Sequence, residues 1–316
     1  MPDGQTRGIN VAVTAWSART GWRADALCRQ AETAEAMGFH SFWLPENHFG
    51  DQRSVPAPLT LLAAVAARTS RIRLGSTSYL LPIRHPLLAA EEVAVLDQLS
   101  NGRVILGMGR GMSGPVFDAF GISASDKRKL FQANLEIMCS AWRGDPIAGS
   151  KQGKPVVLAP LPVQRPHPPL WVAAFGPLAL KQVARLGLPY LASPVESLAT
   201  LEQNYQHYRL ALKAAKKNPV STVPVMRTIF ISEHRESANA VRARLESSLP
   251  PAMRREGVAV EDWAIVGDRS YVSDKLQEYI GRLGINHLIV RGGLPGVDGN
   301  AQLKSHQLLL DIIAGF

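Results

Sequence analysis

Short apolar segments alternate with longer amphipathic segments along this chain, and the alternation predicts an α/β fold with a parallel sheet covered by helices. Eight such pairs fit within the 316 residues, which favours a closed (β/α)8 TIM barrel over an open sheet. Polar residues and glycines follow three neighbouring apolar segments, and barrels of this kind carry their functional groups at the carboxyl ends of the strands. We therefore expect a single domain over residues 1–316, with its site at the C-terminal mouth.

The first four strand–helix units are predicted between residues 9 and 142. Short apolar runs predict strands at 9–13, 39–44, 72–76 and 104–108. Apolar positions with the period of a helix predict helices at 23–37, 59–68, 87–99 and 127–142. Gly38, directly after the first of these helices, is a typical C-terminal residue.

The last four units follow after an irregular stretch. Strands are predicted at 170–173, 189–192, 223–231 and 287–290. Helices are predicted at 178–186, 198–215, 236–247, 273–283 and 301–313. Two irregular stretches interrupt the alternation of strands and helices, at about 145–168 and at about 250–270. A short hairpin is expected near 156–158, within the first of them. We interpret both as insertions over the mouth of the barrel.

Composition narrows the classes of function. The net charge of +9 suits an anionic small ligand, and no motif of interleaved aromatic and basic residues predicts a nucleic-acid partner. The two cysteines form no C-x-x-C motif, and no histidine or carboxylate pattern indicates a metal site. No apolar run reaches the roughly 18 residues of a membrane span. We expect a cytoplasmic protein without membrane or metal.

A glycine-rich segment follows the fourth predicted strand. Gly109, Arg110 and Gly111 begin a G-x-G-x-x-G pattern, but a dinucleotide fold would place that pattern after its first strand. We interpret the segment as a tight loop in which Arg110 binds an anionic group. Arg128, at the start of the next helix, would suit a phosphate with two negative charges. The alternatives are a plain turn with a solvated arginine and an exposed helical charge.

Polar residues also follow the second and third predicted strands. Glu46, Asn47 and His48 combine a carboxylate with an imidazole, which suggests acid–base chemistry or a structural pair that ties loops together. Thr77 and Ser78 are small enough for a flat ring to lie against the backbone, or they bond locally as ordinary strand-end hydroxyls.

A fourth candidate lies after the fifth predicted strand. Phe175 and Gly176 precede Pro177, which is a favourable first residue of a helix. The free N–H groups of such a helix start can bind an anion.

Four segments of the chain resemble the bacterial luciferase-like flavin-dependent monooxygenases. The segment IRLGSTSYLLPIRHPLLAAEEVAVLDQLSNGRVILGMGRG is the most specific, and MGFHSFWLPENHF, VQRPHPPLWVAA and YVSDKLQEYIGRLGINHLIVRGGLPG extend the similarity over nearly the whole chain. The resemblance implies a (β/α)8 barrel, often dimeric, that uses reduced FMN and O2. A separate reductase frequently supplies the flavin, and some relatives use the deazaflavin F420 instead.

The resemblance also implies roles for particular residues. Arg110 and Arg128 match residues that bind the cofactor phosphate, and Thr77-Ser78 matches a non-proline cis peptide beneath the flavin ring. Two positions depart from the family. Asn47 stands where the family has the first histidine of Glu-His-His, and asparagine cannot act as a base at neutral pH. Phe175 stands where relatives often have a serine that binds the phosphate, and the N–H of Gly176 is a possible substitute.

These expectations define a leading function and two alternatives. The leading function is an FMN-dependent monooxygenase that oxidises a small organic substrate through a C4a-peroxyflavin, with Glu46, Asn47 and His48 at the reactive edge. We also expect a homodimer and a flavin reductase as partner. The alternatives are an F420-dependent hydride-transfer oxidoreductase and a catalytically impaired flavin-binding partner subunit.

Overall fold

The structure is a computed structural model that describes residues 8–16, 23–50, 54–112, 114–149, 153–249 and 258–316. The chain divides into two compact units. We call Ala18–Glu35 with Ser41–Ala173 the first-half unit. We call Met1–Ser17 with Ala36–His40 and Ala174–Phe316 the second-half unit.

The bounds of the regular elements are as follows. The strands are β1 (Asn10–Thr14), β2 (Ser41–Leu44), β3 (Arg73–Ser76), β4 (Tyr79–Leu80), β5 (Val104–Gly109), β6 (Ala148–Gly149), β7 (Pro155–Val156), β8 (Leu170–Ala173), β9 (Tyr190–Leu191), β10 (Pro224–Ile231), β11 (Ala264–Gly267) and β12 (His287–Val290). The α-helices are α1 (Ala24–Met37), α2 (Pro58–Arg68), α3 (Pro86–Leu99), α4 (Gly114–Ala119), α5 (Lys127–Arg143), α6 (Pro177–Leu186), α7 (Leu198–Ala214), α8 (Arg235–Ser247), α9 (Arg269–Leu283) and α10 (Gly299–Ile313).

The first-half unit contains a parallel sheet in the order β2-β3-β5-β8. Its strands are almost entirely buried, which is typical of a parallel sheet covered by helices. The indole of Trp43 stacks on that of Trp171 with ring centroids 5.0 Å apart. Gly75 permits this packing, because a Cβ there would overlap the Trp43 ring. The core of the sheet therefore needs a glycine in β3.

The second-half unit contains a parallel sheet in the order β11-β10-β12-β1. The long strand β10 pairs with β12 through Pro224–Arg227 and with β11 through Thr228–Ile231. A bridge between Ala192 and Val225 places the end of β9 beside β10. Both units thus have the predicted parallel α/β arrangement.

The eight predicted strands are present, with ends shifted by no more than two residues. The interpretation of 250–270 as irregular is wrong for β11, because the four-residue run AIVG pairs with the second half of β10. Residues 250–257 lie outside the described ranges. The short helix α4 was not predicted, and α9 begins four residues earlier than expected because Asp268 caps it by accepting from Tyr271 N.

The insertion at 145–168 contains a hairpin, as expected, but β6 and β7 form it at 148–156 and not near 156–158. A buried carboxylate anchors the chain that follows it. Asp97 is fully buried in α3, and it accepts hydrogen bonds from the backbone N and from Nε2 of Gln164 at 2.9 and 2.8 Å. Arg73 donates to Oε1 of Gln164 at 2.8 Å. The end of the insertion is therefore fixed to both a helix and a strand.

Two properties of the described residues bear on function. Among these residues, no helix is long and apolar enough to cross a membrane. The same part of the chain holds no group of three histidine, cysteine or carboxylate side chains suited to a metal ion.

A buried histidine makes the second-half unit sensitive to acid. His306 is 1% exposed between the rings of Trp16 and Phe39, and Gln302 bonds to its Nε2. Burial lowers the pKa of His306 to about 4 from an ordinary value of about 6.5. A histidine whose pKa is lowered on folding is neutral in the native state. Its contribution to stability is complete above pH 6.5 and is lost as the pH falls toward 4.

We expect the free energy of unfolding to fall by about 3 kcal/mol from this histidine between pH 7 and pH 4. The H306Q variant keeps a hydrogen-bonding side chain but does not titrate. Its free energy of unfolding should therefore fall less steeply than that of the wild type as the pH is lowered. Urea unfolding of both proteins at half-unit pH steps measures the difference. Parallel curves for the two proteins would contradict the assignment.

Candidate functional site

The candidate site of the first-half unit begins where β5 ends. Burial and the positive charge of Arg128 both lower the pKa of the Arg110 guanidinium, which places the two cations within electrostatic reach of each other. Arg110 Nη2 donates a long bond of 3.4 Å to the carbonyl of Ala173. Two guanidinium groups within electrostatic reach of each other suit an anion with two negative charges.

The glycine-rich loop is held against the helices that follow it. Gly111 has a φ of +77°, and a Cβ there would lie 2.9 Å from the ring of Phe117 in α4. Lys127, the first residue of α5, donates from Nζ to the Gly111 carbonyl at 3.3 Å. Glycine at this position therefore allows a left-handed turn and a close approach to Phe117.

The segment between β3 and β4 also lies beside β5. The Thr77–Ser78 peptide bond is cis, as the resemblance implies. Thr77 N donates to Leu44 O at 2.8 Å, and Leu80 pairs with Gly109. A Cβ at Gly109 would overlap the Ser78 hydroxyl, so glycine is what allows Ser78 to lie against β5.

Glu46 lies at the centre of a buried ion-pair network. Its side chain is fully buried, and Oε1 accepts from Arg84 Nη1 and from His48 Nε2, each at 2.7 Å. Oε2 accepts from the backbone N of Leu80 at 3.0 Å. Arg84 also covers the ring of Tyr79, with Cζ 3.9 Å from the centroid. Both carboxylate oxygens are therefore occupied by partners from the protein.

His48 takes its orientation from this network. Its side chain is 7% exposed, and the bond to Glu46 uses Nε2 as donor. The neutral ring then carries its lone pair at Nδ1. Within the described residues, Nδ1 has no hydrogen-bond partner.

Asn47 holds the loop after β2 closed. Its Oδ1 accepts from Val55 N at 2.7 Å, and its backbone N donates to Val55 O at 3.1 Å. The side chain therefore has a structural contact that the sequence does not reveal. Its expected place at a reactive edge stays a prediction.

Phe175 and Gly176 belong to the second-half unit. Phe175 is 46% exposed, and Gly176 has a φ of +74° before Pro177 begins α6. The left-handed turn accounts for glycine at position 176. Their predicted part in cofactor binding stays a prediction.

The first-half unit contains the predicted residues at or after the ends of three strands, Glu46, Asn47, His48, Thr77, Ser78, Gly109 and Arg110, and it also contains Arg128 in α5. Sequence reasoning missed Arg84 and Phe120. Arg84 lies 38 residues from its partner Glu46, and the only local signal was a basic residue next to a proline-containing turn. Phe120 lies at the end of the unpredicted helix α4, with its ring 5.3 Å from that of His48.

Most of the chain matches one protein family. The family model for the luciferase-like monooxygenases matches residues 9–287 of the 316. The chain belongs to this family. The family resemblance drawn from the sequence is confirmed.

Two curated relatives show how far the sequence similarity extends. The uncharacterised protein y4wF of Sinorhizobium fredii is 37% identical over 50% of this chain and 47% of its own length. The oxygenase component of the flavin-dependent trigonelline monooxygenase of Acinetobacter baylyi is 25% identical over 68% of this chain and 61% of its own length. The chain thus spans about half to three fifths of these two relatives.

Solved structures share the fold along almost the whole chain. The oxygenating constituent of 3,6-diketocamphane monooxygenase from Pseudomonas putida, in complex with FMN, has a TM-score of 0.82 and 20% identity, with 97% of this chain and 98% of that chain covered. The coenzyme F420 dependent tetrahydromethanopterin reductase of Methanopyrus kandleri has a TM-score of 0.72 and 18% identity, with 96% and 97% covered. These identities establish the fold alone.

Proposed function

We propose that this protein is the oxygenase of a two-component system, which uses reduced FMN and O2 to oxidise a small organic substrate. We further propose that residues 1–316 form one luciferase-like domain whose strands close into a TIM barrel. Family membership and the fold shared with an FMN complex support this assignment. The name of the trigonelline enzyme's oxygenase component supports a separate flavin reductase as partner. A homodimer completes the proposed assembly.

The observation that carries the proposal is the electrostatic pairing of Arg110, which follows the glycine-rich end of β5, with Arg128 at the start of α5. The positive charge of Arg128 acts on Arg110, and a phosphate dianion between them would relieve that repulsion. Guanidinium groups match phosphate oxygens with parallel N–H donors, so the residues present fit the phosphate of FMN. Arg110 and Arg128 would hold that phosphate, and Thr77-Ser78 would lie against the flavin ring. Reduced flavin, when bound, supplies the two electrons that activate O2.

The remaining residues of the site orient a proton acceptor. Glu46 fixes the tautomer of His48 by accepting from Nε2, so Nδ1 is the atom at which His48 would take or return a proton. Arg84 pairs with the Glu46 carboxylate at 2.7 Å and balances its charge. Glu46 and Arg84 are therefore positioning residues, whereas His48 is the candidate catalytic residue.

The proposal is tested by titrating the protein with reduced FMN under anaerobic conditions and then admitting O2. We expect binding in the micromolar range, and slower flavin reoxidation in the protein than in free solution. Failure of the protein to bind either oxidised or reduced FMN would refute the assignment.

A second candidate cofactor is F420, because two enzymes whose solved structures share this fold depend on F420. They are a tetrahydromethanopterin reductase and a secondary alcohol dehydrogenase. The phosphate of F420 would use the same arginines. F420 transfers hydride without O2, so an oxygen-independent change in absorbance near the F420 band, with a secondary alcohol as donor, would select it. Turnover that requires both FMN and O2 selects the monooxygenase.

The third alternative, an impaired partner subunit, is tested at position 47. We expect N47H to lower turnover several-fold, because the imidazole ring is bulkier than the amide and should weaken the 2.7 Å bond from Val55 N that closes the loop carrying His48. Loss of one such bond costs about 1 kcal/mol of stability. Steady-state turnover and thermal melting of N47H, with N47D as the control that keeps the acceptor oxygen, measure both effects. A large gain of turnover in N47H would instead identify an impaired chain.

A further inference from the structure

The first turn of α5 carries three consecutive positive charges. The helix opens with Lys127, Arg128 and Lys129, and the sequence places no acidic residue in that turn. The amino-terminal end of an α-helix carries a partial positive charge, so cations at this end are unfavourable and carboxylates are the usual choice. A sequence that departs from a local rule in this way is typical of a functional position.

Lys127 differs from its two neighbours in what it contacts. Arg128 and Lys129 are exposed, whereas Lys127 is half-buried. Its Nζ donates to the Gly111 carbonyl at 3.3 Å and lies 5.8 Å from the centroid of the Phe117 ring. Gly111 packs on the same ring, since a Cβ there would lie 2.9 Å from Phe117 Cζ. One ammonium group therefore joins the start of α5 to the glycine-rich loop.

The joined segments each carry a guanidinium group, and these two groups repel each other. Arg110 lies in the loop and Arg128 lies in α5, and the charge of one acts on the other. The repulsion favours separation of the loop from the helix. The bond from Lys127 opposes it one residue along the chain from Arg110, and a charged donor makes a stronger hydrogen bond than a neutral one. The contact therefore favours the arrangement in which both guanidinium groups can meet one anion.

We propose that Lys127 is a positioning residue that holds the glycine-rich loop against α5, so that Arg110 and Arg128 bind the same phosphate. The proposal rests on the proposed function, because this phosphate is the phosphate of FMN. Lys127 acts through the backbone of Gly111 and leaves the direct contacts with the phosphate to the two arginines. Donors that are held in place before binding give higher affinity, because less order has to be created when the ligand binds.

Comparison of FMN with riboflavin, which lacks the phosphate, separates this role from a general effect on the fold. K127M keeps an unbranched side chain but removes the ammonium group. It should weaken FMN binding about tenfold and change riboflavin binding by less than about twofold. K127R keeps a charged donor and should restore FMN affinity to within about threefold of the wild type. K129M removes an exposed lysine from the same turn and should change FMN affinity by less than about twofold in buffer of fixed ionic strength.

Limited digestion of the full-length proteins with trypsin reports on the loop without any flavin. Trypsin cleaves after Arg110 only when the loop leaves its packed position, so the rate of this cleavage measures how often the loop opens. We expect K127M to raise the rate about tenfold, and K127R and K129M to stay within about twofold of the wild type. Mass spectrometry of the new amino terminus at Gly111 quantifies the cleavage.

Three results would overturn the positioning role of Lys127. Cleavage after Arg110 at the same rate in K127M and the wild type is the first. Weakened FMN binding in K127M with unchanged cleavage is the second, because Lys127 would then bind the phosphate directly. Equal losses of FMN and riboflavin affinity are the third. If the wild type binds no FMN, the cofactor assignment fails, and faster cleavage in K127M would still support the contact that holds the loop against α5.

Discussion

Replacement of both site arginines, in R110Q/R128Q, should weaken FMN binding about a thousandfold. A charge-assisted hydrogen bond contributes roughly 1.5–3 kcal/mol, and the more buried Arg110 should account for about 100-fold of the loss and the exposed Arg128 for about tenfold. Fluorescence quenching of FMN in buffers of fixed ionic strength measures the affinities. The wild type should lose affinity with added salt, and the double variant should not.

The melting temperatures of these variants show whether a loss of FMN affinity comes from a lost contact with the phosphate or from a damaged fold. Arg110 and Arg128 repel each other, so removal of one charge should leave the melting temperature within about 1 °C. R71Q removes an exposed arginine from the same unit and lowers the net charge equally, so it controls for general electrostatic attraction. Equal loss of FMN affinity in R71Q and R110Q would refute the phosphate assignment.

The strands were predictable because their signal is local. A run such as 104–108, followed by Gly109 and Arg110, identifies a buried strand and its functional end without knowledge of any partner. The resemblance then located the cis peptide at Thr77–Ser78, which no apolar pattern reveals. Parallel pairing brings consecutive strand ends to one edge, and for this reason residues far apart in sequence could be assigned to one site.

The ionic and aromatic contacts of the site were not predictable. The bond from Arg84 to Glu46 depends on the turn Leu81–Ile83, which redirects the chain after β4. Strand β11 was missed because its short apolar run lies in a stretch interpreted as an irregular insertion, and its pairing with the second half of β10 is not visible in the sequence. The exposure of Phe49 and its left-handed backbone depend on the conformation of the loop, which the types of residue in the loop do not reveal.

The variant E46Q should be the most destabilising conservative change in the site. Glutamine keeps the shape of Glu46 but removes the negative charge that balances Arg84, which is 17% exposed. Breaking one partner of a buried ion pair costs about 3–5 kcal/mol, because the remaining charge stays buried without compensation. We expect a loss of about 4 kcal/mol in urea unfolding.

The same change should lower kcat about 100-fold, because the glutamine amide can face His48 Nε2 with either its oxygen or its NH2 group and so no longer fixes one tautomer. E92Q makes the same chemical change at an exposed carboxylate that accepts from Tyr79 Oη, and it should cost less than about 1 kcal/mol. The pairing itself is measured by a double-mutant cycle. E46Q/R84Q should be more stable than the sum of the single changes by about 2 kcal/mol, since both charges are then absent. Additive effects, or an E46Q protein as stable as E92Q, would show that Glu46 does not stabilise the network.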